Sequence, residues 1–351
     1  MKQYGISLYL GTGPEKNRAI VQKARKAGIS LAFTSLHIPE EADGDMGAKI
    51  RDLLNLCKSS GISLMVDVGP RTLGLLGLKS IDQLADFSVG RIRVDYGFSL
   101  QEIARLSHRF QVIFNASTFP QAKIPELERL GADLSRLGAC HNFYPKPLTG
   151  LSAERTRRID ENLHRFGIQT MAFVAGDGVL RGPLHEGLPT VEAHRRGDVL
   201  LHLLELTGPC AADVGMIGDI DVSPKTWSAL SALVQGYVPL HAKIEPEYAF
   251  LRDIVHHDRP DSSEYVIRSQ ESRRYVSQGK SFPPKPCPER KKGSVSVGNQ
   301  DYLRYSGEME IARADLPPEK RVNIVGQVSP EDVPYLPYIT DGMGFRLLPE
   351  A

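Results

Sequence analysis

The chain has 351 residues, with 43 lysines and arginines against 42 aspartates and glutamates, so its formal net charge is +1. This balance gives no electrostatic case for binding nucleic acid or an anionic membrane, and no apolar run approaches the ~20 residues that span a bilayer. Cys57, Cys140, Cys210 and Cys287 are scattered, which indicates neither a disulfide framework nor a zinc motif. Met1 leads into the first apolar run without a signal peptide, so we expect a cytoplasmic protein.

Before residue 240 one pattern occurs eight times: a short apolar run that ends in polar residues, then a helical stretch. The runs lie at 5–10, 31–35, 63–68, 91–95, 111–115, 139–144, 169–174 and 213–217. Strands that alternate with helices indicate βαβ units and a parallel sheet. Eight such units predict an α/β fold, a (β/α)8 TIM barrel, whose functional site lies at the C-terminal ends of its strands.

The stretches between the runs carry helix signals. Residues 15–27 place apolar side chains on one stripe, and Gly28 follows as a helix C-terminus favours. A longer helix is predicted over 191–206, with Glu192 in its first turn, where the helix dipole favours an acid. The eighth helix is predicted to begin at residues 223–224, a serine cap followed by proline.

After Gly236 the chain changes to short alternating runs at 264–268, 294–297, 309–312 and 321–325, with proline-rich and basic segments between them. This composition is typical of a small β-rich domain. We therefore predict two domains, a catalytic TIM barrel over 1–238 and a β domain over 239–351.

Carboxylates follow several of the predicted strands, and five are candidate catalytic residues: Glu40, Asp67, Asp95, Asp177 and Asp219. Two carboxyl groups in one pocket are driven apart in pKa. One can then act as an acid and the other as a base or nucleophile, which is the arrangement that glycoside hydrolysis requires. Any one of the aspartates could equally cap a helix or pair with an arginine. Several of them together at one rim favour a catalytic role.

Among these candidates, the segment Arg93-Val94-Asp95 has the most specific pattern. Strand alternation puts both charged side chains on one face, toward the barrel interior or its rim. Burying such a pair is costly unless both groups are satisfied. A mutual ion pair and a position beside the substrate both fit this pattern.

Two connections, 145–151 and 176–189, are longer than a βα unit needs, and long ordered loops tend to be functional. Phosphate sites in these barrels favour the loops after strands 7 and 8. Arg181 is therefore the candidate phosphate ligand, with Lys146 as a second cation, and glycines such as Gly176 would let backbone N–H groups approach an anion. A solvated loop arginine is an equally weighted alternative.

Other side chains at the same rim are expected to bind substrate: His37, Arg93, Asn115, His141, Asn142 and Tyr144. A metal-assisted aldolase or isomerase that uses His37, Glu40, His141 and a further carboxylate stays open, although their spacing matches no usual ligand set. A non-catalytic sugar-binding protein stays open as well. No GxGxxG or Walker motif is present, so we expect no nucleotide cofactor. We expect no resident metal either, because the chain shows no usual ligand spacing.

Several segments resemble the 6-phospho-N-acetylmuramidase family. They are ISLYLG at 6–11, FTSLHIPE at 33–40, RVDYG at 93–97, NFYP at 142–145, TGLS at 149–152, RGPL at 181–184 and EGLPTVE at 186–192. The resemblance covers essentially the whole chain and implies a TIM barrel followed by a cyclophilin-like β-barrel. It also implies hydrolysis of the β-1,4 bond of 6-phospho-N-acetylmuramyl-N-acetylglucosamine, a small phosphorylated disaccharide from cell-wall recycling. The roles of individual residues follow from their position in the barrel, not from the resemblance.

Overall fold

The computed structural model describes residues 2–36, 46–69, 72–87, 89–94, 97–286 and 289–350. The chain forms two compact units, residues 1–234 and 235–351. Three of the predicted site residues, His37, Glu40 and Asp95, lie outside the described residues.

The first unit is a closed barrel of eight parallel strands in sequential order, which confirms the predicted TIM barrel. Its strands are β1 (Gln3–Ser7), β2 (Leu31–Ser35), β3 (Ser63–Val68), β4 (Arg91–Val94), β5 (Gln111–Asn115), β6 (Leu137–Cys140), β7 (Gln169–Val174) and β8 (Val214–Ile217). Its helices are α1 (Pro14–Lys26), α2 (Met46–Ser59), α3 (Thr72–Leu76), α4 (Leu100–Ser107), α5 (Ile124–Arg129), α6 (Ala153–His164), α7 (Val199–Thr207) and α8 (Pro224–Val234). None of the described helices has the length and hydropathy to cross a bilayer.

The barrel interior is filled by side chains from alternate strand positions, because successive residues of a strand face opposite sides. The apolar interior positions are Leu31, Phe33, Met65, Ile113, Cys140, Met171, Phe173, Val214 and Met216. Two residues beyond Phe33, Met65 and Ile113, the same face carries Ser35, Asp67 and Asn115. Each of these strands therefore carries a polar side chain on its inward face, at or next to its C-terminal end.

The predicted helix over 191–206 is wrong at its start. Glu192–Arg195 forms a 3-10 turn, Arg196 is extended, and α7 begins only at Val199. The Asp198 carboxylate accepts a hydrogen bond from the Leu201 N–H at 3.0 Å, and this cap fixes the later start. Residues 192–198 therefore lie outside α7, where they can contact the loops at the barrel rim.

The second unit is β-rich, as predicted. Its strands are β9 (Tyr237–Ile244), β10 (His256–His257), β11 (Val266–Arg268), β12 (Ser294–Gly298), β13 (Met309–Ala312), β14 (Val322–Val328) and β15 (Gly344–Leu348), with one short helix, α9 (Arg274–Ser277). They form a seven-stranded sheet in the order β10-β15-β9-β14-β12-β13-β11. The sheet is mixed, because β9 and β15 pair in parallel while the other neighbours are antiparallel. Its likeness to cyclophilin stays a prediction.

A buried histidine pair packs the 3-10 turn before α7 against that helix. The rings of His194 and His202 stack with centroids 4.7 Å apart, and His194 Nε2 lies 3.1 Å from Glu205 Oε2. Burial lowers the pKa of both rings, and it lowers the pKa of His202 to about 4. His202 is therefore neutral in the folded protein at pH 7.

This pair predicts a loss of stability in acid. Between the folded pKa of about 4 and the unfolded value of ~6.5, the unfolded chain binds more protons at His202, so stability falls as pH falls through that window. We expect His202→Gln to remove about 2 kcal/mol of the wild-type stability difference between pH 7.5 and pH 5. Denaturant unfolding at both pH values measures it. His108→Gln, at an exposed position, should keep the wild-type pH dependence, and an unchanged dependence in His202→Gln would contradict the argument.

Candidate active site

Three neighbouring strands bring Ser35, Asp67 and Arg93 side by side at the C-terminal end of the barrel. The strand register pairs Ser35 with Asp67 and Asp67 with Arg93. Arg93 Nη1 donates to Asp67 Oδ1 at 3.3 Å, and Ser35 Oγ donates to Asp67 Oδ2 at 3.2 Å. Arg93 is 4% exposed and Asp67 is 8% exposed. The predicted rim residues Asp67 and Arg93 thus form an ion pair that is almost fully buried.

The Asn142 side chain continues this network to the next strands. Its Oδ1 accepts hydrogen bonds from Arg93 Nη2 at 2.6 Å and from Asn115 Nδ2 at 3.1 Å. Its backbone carbonyl accepts from Thr190 Oγ1 at 2.9 Å. Two donors on one oxygen fix the orientation of the amide group. The structure therefore brings together four predicted residues, Asp67, Arg93, Asn115 and Asn142.

His141 lies behind this network, on the opposite side of β6 from the interior residue Cys140. Its ring is fully buried, with Nδ1 2.9 Å from Ser117 Oγ and Nε2 2.7 Å from Asp160 Oδ1. The histidine therefore joins the loop after β5 to α6 and is not brought to the mouth. Asp160 was missed by the sequence reasoning, although an acid on the same helical stripe as Leu163 was a usable signal.

Glu192 holds the loop after β6 through its carboxylate. Glu192 Oε1 accepts the Leu148 N–H and Oε2 accepts the Gly150 N–H, both at 2.8 Å. A Cβ atom on Gly150 would lie 2.6 Å from Glu192 Oε2, so this close approach requires glycine. The Arg195 guanidinium and these two N–H groups lower the Glu192 pKa to about 2.

Arg195 ties the same loop to the loop after β7. Its Nε and Nη2 donate to the Glu192 carboxylate at 2.6 and 2.8 Å. Its Nη2 also donates to the Tyr144 carbonyl at 2.9 Å, and its Nη1 donates to the Gly187 carbonyl at 3.0 Å. Glu192 was expected only to complement a helix dipole, and Arg195 was not singled out. The sequence signal that could have indicated this ion pair is its i,i+3 spacing, which places both side chains on one face of a helical turn.

Asp219 occupies a cradle inside the loop after β7. Its carboxylate accepts the N–H groups of Gly176 and Arg181 at 2.9 Å and of Leu188 at 3.1 Å. Burial raises the Asp219 pKa, although the three N–H groups and the nearby Arg181 guanidinium act in the opposite direction. The Gly176 N–H, which was expected to face a bound anion, therefore serves the protein's own carboxylate.

Asp177 has an exposed position and fixes the start of α8. Its Oδ1 accepts the Ser223 N–H at 2.8 Å, and its Oδ2 accepts Ser223 Oγ at 2.8 Å and Thr226 Oγ1 at 2.7 Å. This is the helix-capping alternative that the sequence left open for the barrel-end aspartates.

The predicted phosphate ligands lie on the two long loops. The Arg181 Cζ atom is 4.4 Å from the centroid of the Tyr9 ring, whose hydroxyl donates to the Gly218 carbonyl. Asp219 fixes the Arg181 backbone, so this cation is held in place from two sides. Lys146 is exposed and Tyr144 is half-buried.

Among the described residues, no group of three or more histidine, cysteine, aspartate and glutamate side chains could hold a metal ion. His37 and Glu40, which belong to the metal-assisted alternative, lie outside that part of the chain. The three described cysteines, Cys57, Cys140 and Cys210, are buried and free.

Comparisons with known proteins cover both units. A family model described as 6-phospho-N-acetylmuramidase, N-terminal, matches residues 4–232, and its C-terminal counterpart matches residues 238–348. A crystal structure of a conserved Enterococcus faecalis protein with an unknown function is similar at 30% identity and a TM-score of 0.76, over 99% of this chain and 97% of that chain. An uncharacterized B. cereus protein is similar at 26% identity and a TM-score of 0.76, over 99% of both chains. No curated protein matches.

The contacts of Arg195 predict that both rim loops depend on it. We expect Arg195→Met to cost roughly 3 kcal/mol, because it leaves a carboxylate and buried carbonyls without their donor. Faster proteolytic cleavage within 145–151 and 182–191 should accompany the lower Tm. Arg196→Met is a matched control, since the adjacent Arg196 side chain is 72% exposed and its pair with Glu186 is a surface one. Equal losses in the two variants would contradict the role of Arg195.

Proposed function

The chain belongs to the 6-phospho-N-acetylmuramidase family, and on that premise we propose that it is a glycoside hydrolase that cleaves the β-1,4 bond of 6-phospho-N-acetylmuramyl-N-acetylglucosamine. The observation that carries the proposal is the Asp67 carboxylate at the barrel mouth, positioned by Arg93 and Ser35. We assign catalysis to the barrel domain, 1–238, and place the reaction in the cytoplasmic recycling of peptidoglycan.

Asp67 is the proposed base or nucleophile. Donors on both of its oxygens favour the ionised form, and a carboxylate must be ionised to attack the anomeric carbon or to activate water. The acid that protonates the leaving oxygen is then Asp95 or Glu40. Asp177 and Asp219 are second choices, because Asp177 fixes the start of α8 and Asp219 is enclosed by backbone N–H groups of the loop after β7.

The polar residues beside Asp67 are suited to hold the sugar. Asn142 has an amide orientation fixed through its oxygen, so its nitrogen can donate to a sugar oxygen without further ordering. Arg181 and Lys146 supply cations for the 6-phosphate, and an arginine can hold two phosphate oxygens at once. Tyr144 offers a ring face at the same rim, and His141 supports the site from behind.

Turnover of the phosphorylated disaccharide and of its unphosphorylated twin, followed by mass spectrometry, tests the substrate. We expect cleavage of the phosphorylated form, with little or none of its twin. Arg181→Ala should raise KM for the phosphorylated disaccharide about tenfold or more, because charge-assisted hydrogen bonds to phosphate are lost. It should leave any weak cleavage of the twin unchanged. Cleavage of neither sugar would count against the glycosidase, while equal effects on both would reject only the phosphate contact.

Asp67→Asn tests the catalytic role. It should lower kcat at least about a hundredfold, both on the disaccharide and on an aryl glycoside of the 6-phosphorylated sugar, whose leaving group needs no acid. Replacement of the true acid, Asp95→Asn or Glu40→Gln, should impair cleavage of the disaccharide far more than that of the aryl glycoside.

Ser35→Ala is the control for Asp67→Asn, because it removes one neutral hydrogen bond and keeps the pair with Arg93. It should cost less than about tenfold in kcat. A folded Asp67→Asn enzyme with near wild-type kcat would exclude Asp67 from the chemistry.

A further inference from the structure

The opposite end of the barrel contains a polar cavity. It has a volume of about 240 Å³ and lies at the N-terminal ends of β1 to β4. Lys2, Ser30, Ser63 and Arg91 supply polar groups to its wall. Among the described residues that line it there are two cations and no aspartate or glutamate. The cavity is therefore positively charged and carries no acid of its own.

Arg91 is the main charge of this cavity. It occupies the first position of β4, two residues before Arg93, so strand alternation puts both arginines on the inward face. Arg93 is paired with Asp67, but no carboxylate in the described part of the chain pairs with Arg91. Burial lowers the Arg91 pKa, and no nearby acid opposes that shift. A half-buried guanidinium with no carboxylate beside it can pair with an anion from solution.

The other polar groups are positioned to share such an anion. Lys2 Nζ donates to the Ala212 carbonyl at 3.0 Å, which orders the ammonium group and leaves two of its three hydrogens for other acceptors. The strand ends that carry Ser30 and Ser63 are joined by a hydrogen bond of 2.7 Å from the Ser63 N–H to the Ser30 carbonyl. Both hydroxyls can donate to an oxyanion.

We propose that this cavity binds a small oxyanion, either free phosphate or the phosphate group of a small metabolite, between Arg91 and Lys2. An arginine fork matches two oxygens of a tetrahedral anion, while a lysine contributes a point charge. At about 240 Å³ the cavity is smaller than the ~300–1,000 Å³ of sites that enclose drug-sized ligands. The proposal uses no residue of the barrel mouth, so it does not depend on the glycosidase assignment.

The test is binding of inorganic phosphate to the full chain, at constant ionic strength with chloride as the reference anion. Isothermal titration and thermal shift should both show phosphate binding to the wild type. Arg91→Gln should weaken it about tenfold or more, because charge-assisted hydrogen bonds are lost. Arg51→Gln, on the exposed face of α2, removes the same charge elsewhere and should leave binding unchanged.

Lys2→Gln is the second variant, for the case that Arg91→Gln does not fold, and it should weaken phosphate severalfold. A selenate soak with anomalous diffraction locates the anion directly. A hexose 6-phosphate run beside free phosphate separates the two sources. Both are measured on the Arg181→Ala enzyme, so that the proposed mouth site does not contribute, and weaker binding of either when Arg91→Gln is added supports the site. Full phosphate affinity in both variants, or selenate only at the barrel mouth, would overturn the proposal.

Discussion

The ion pair between Asp67 and Arg93 is the interaction on which the barrel mouth depends. Two charges withdrawn from water cost several kcal/mol unless further hydrogen bonds compensate them. Here the second carboxylate oxygen takes the Ser35 hydroxyl, and the second guanidinium nitrogen takes the Asn142 oxygen. The pair therefore fixes the positions of its neighbours on both sides, and the polar network across the strands follows from satisfying it.

In the loops after β6 and β7, charged groups are likewise satisfied by hydrogen bonds within the protein. Each is organised around a carboxylate that accepts backbone N–H groups, Glu192 for the loop after β6 and Asp219 for the loop after β7. Arg195 then joins the loops to each other. Backbone donors that a loop would otherwise offer to a ligand are thus used by the protein. The proposed function therefore assigns the substrate phosphate to side chains at the rim, with Arg181 as its proposed ligand.

Strand β4 shows how one strand can serve both ends of a barrel. Arg91 and Arg93 share its inward face, but one lies at the N-terminal end and the other near the C-terminal end. Arg93 has its counter-charge on the neighbouring strand. Arg91 instead lines a cavity together with Ser30 and Ser63. On the inward face of β4, Arg93 therefore pairs with a carboxylate of the protein at the mouth, while Arg91 is the proposed ligand of an anion at the opposite end.

The sequence by itself determined the eight βα units, the β-rich second part and the polar ends of the strands, because strand and helix periodicities and caps are local. It also placed Asp67 and Arg93 at one rim. Only the tertiary structure decided which charges meet. Arg93 pairs with Asp67 because strand register sets neighbours, while Asp177 and Asp219 hold chain segments more than 30 residues away in sequence. Such partners are chosen by the closure of the barrel and by the burial of each charge, which no local pattern encodes.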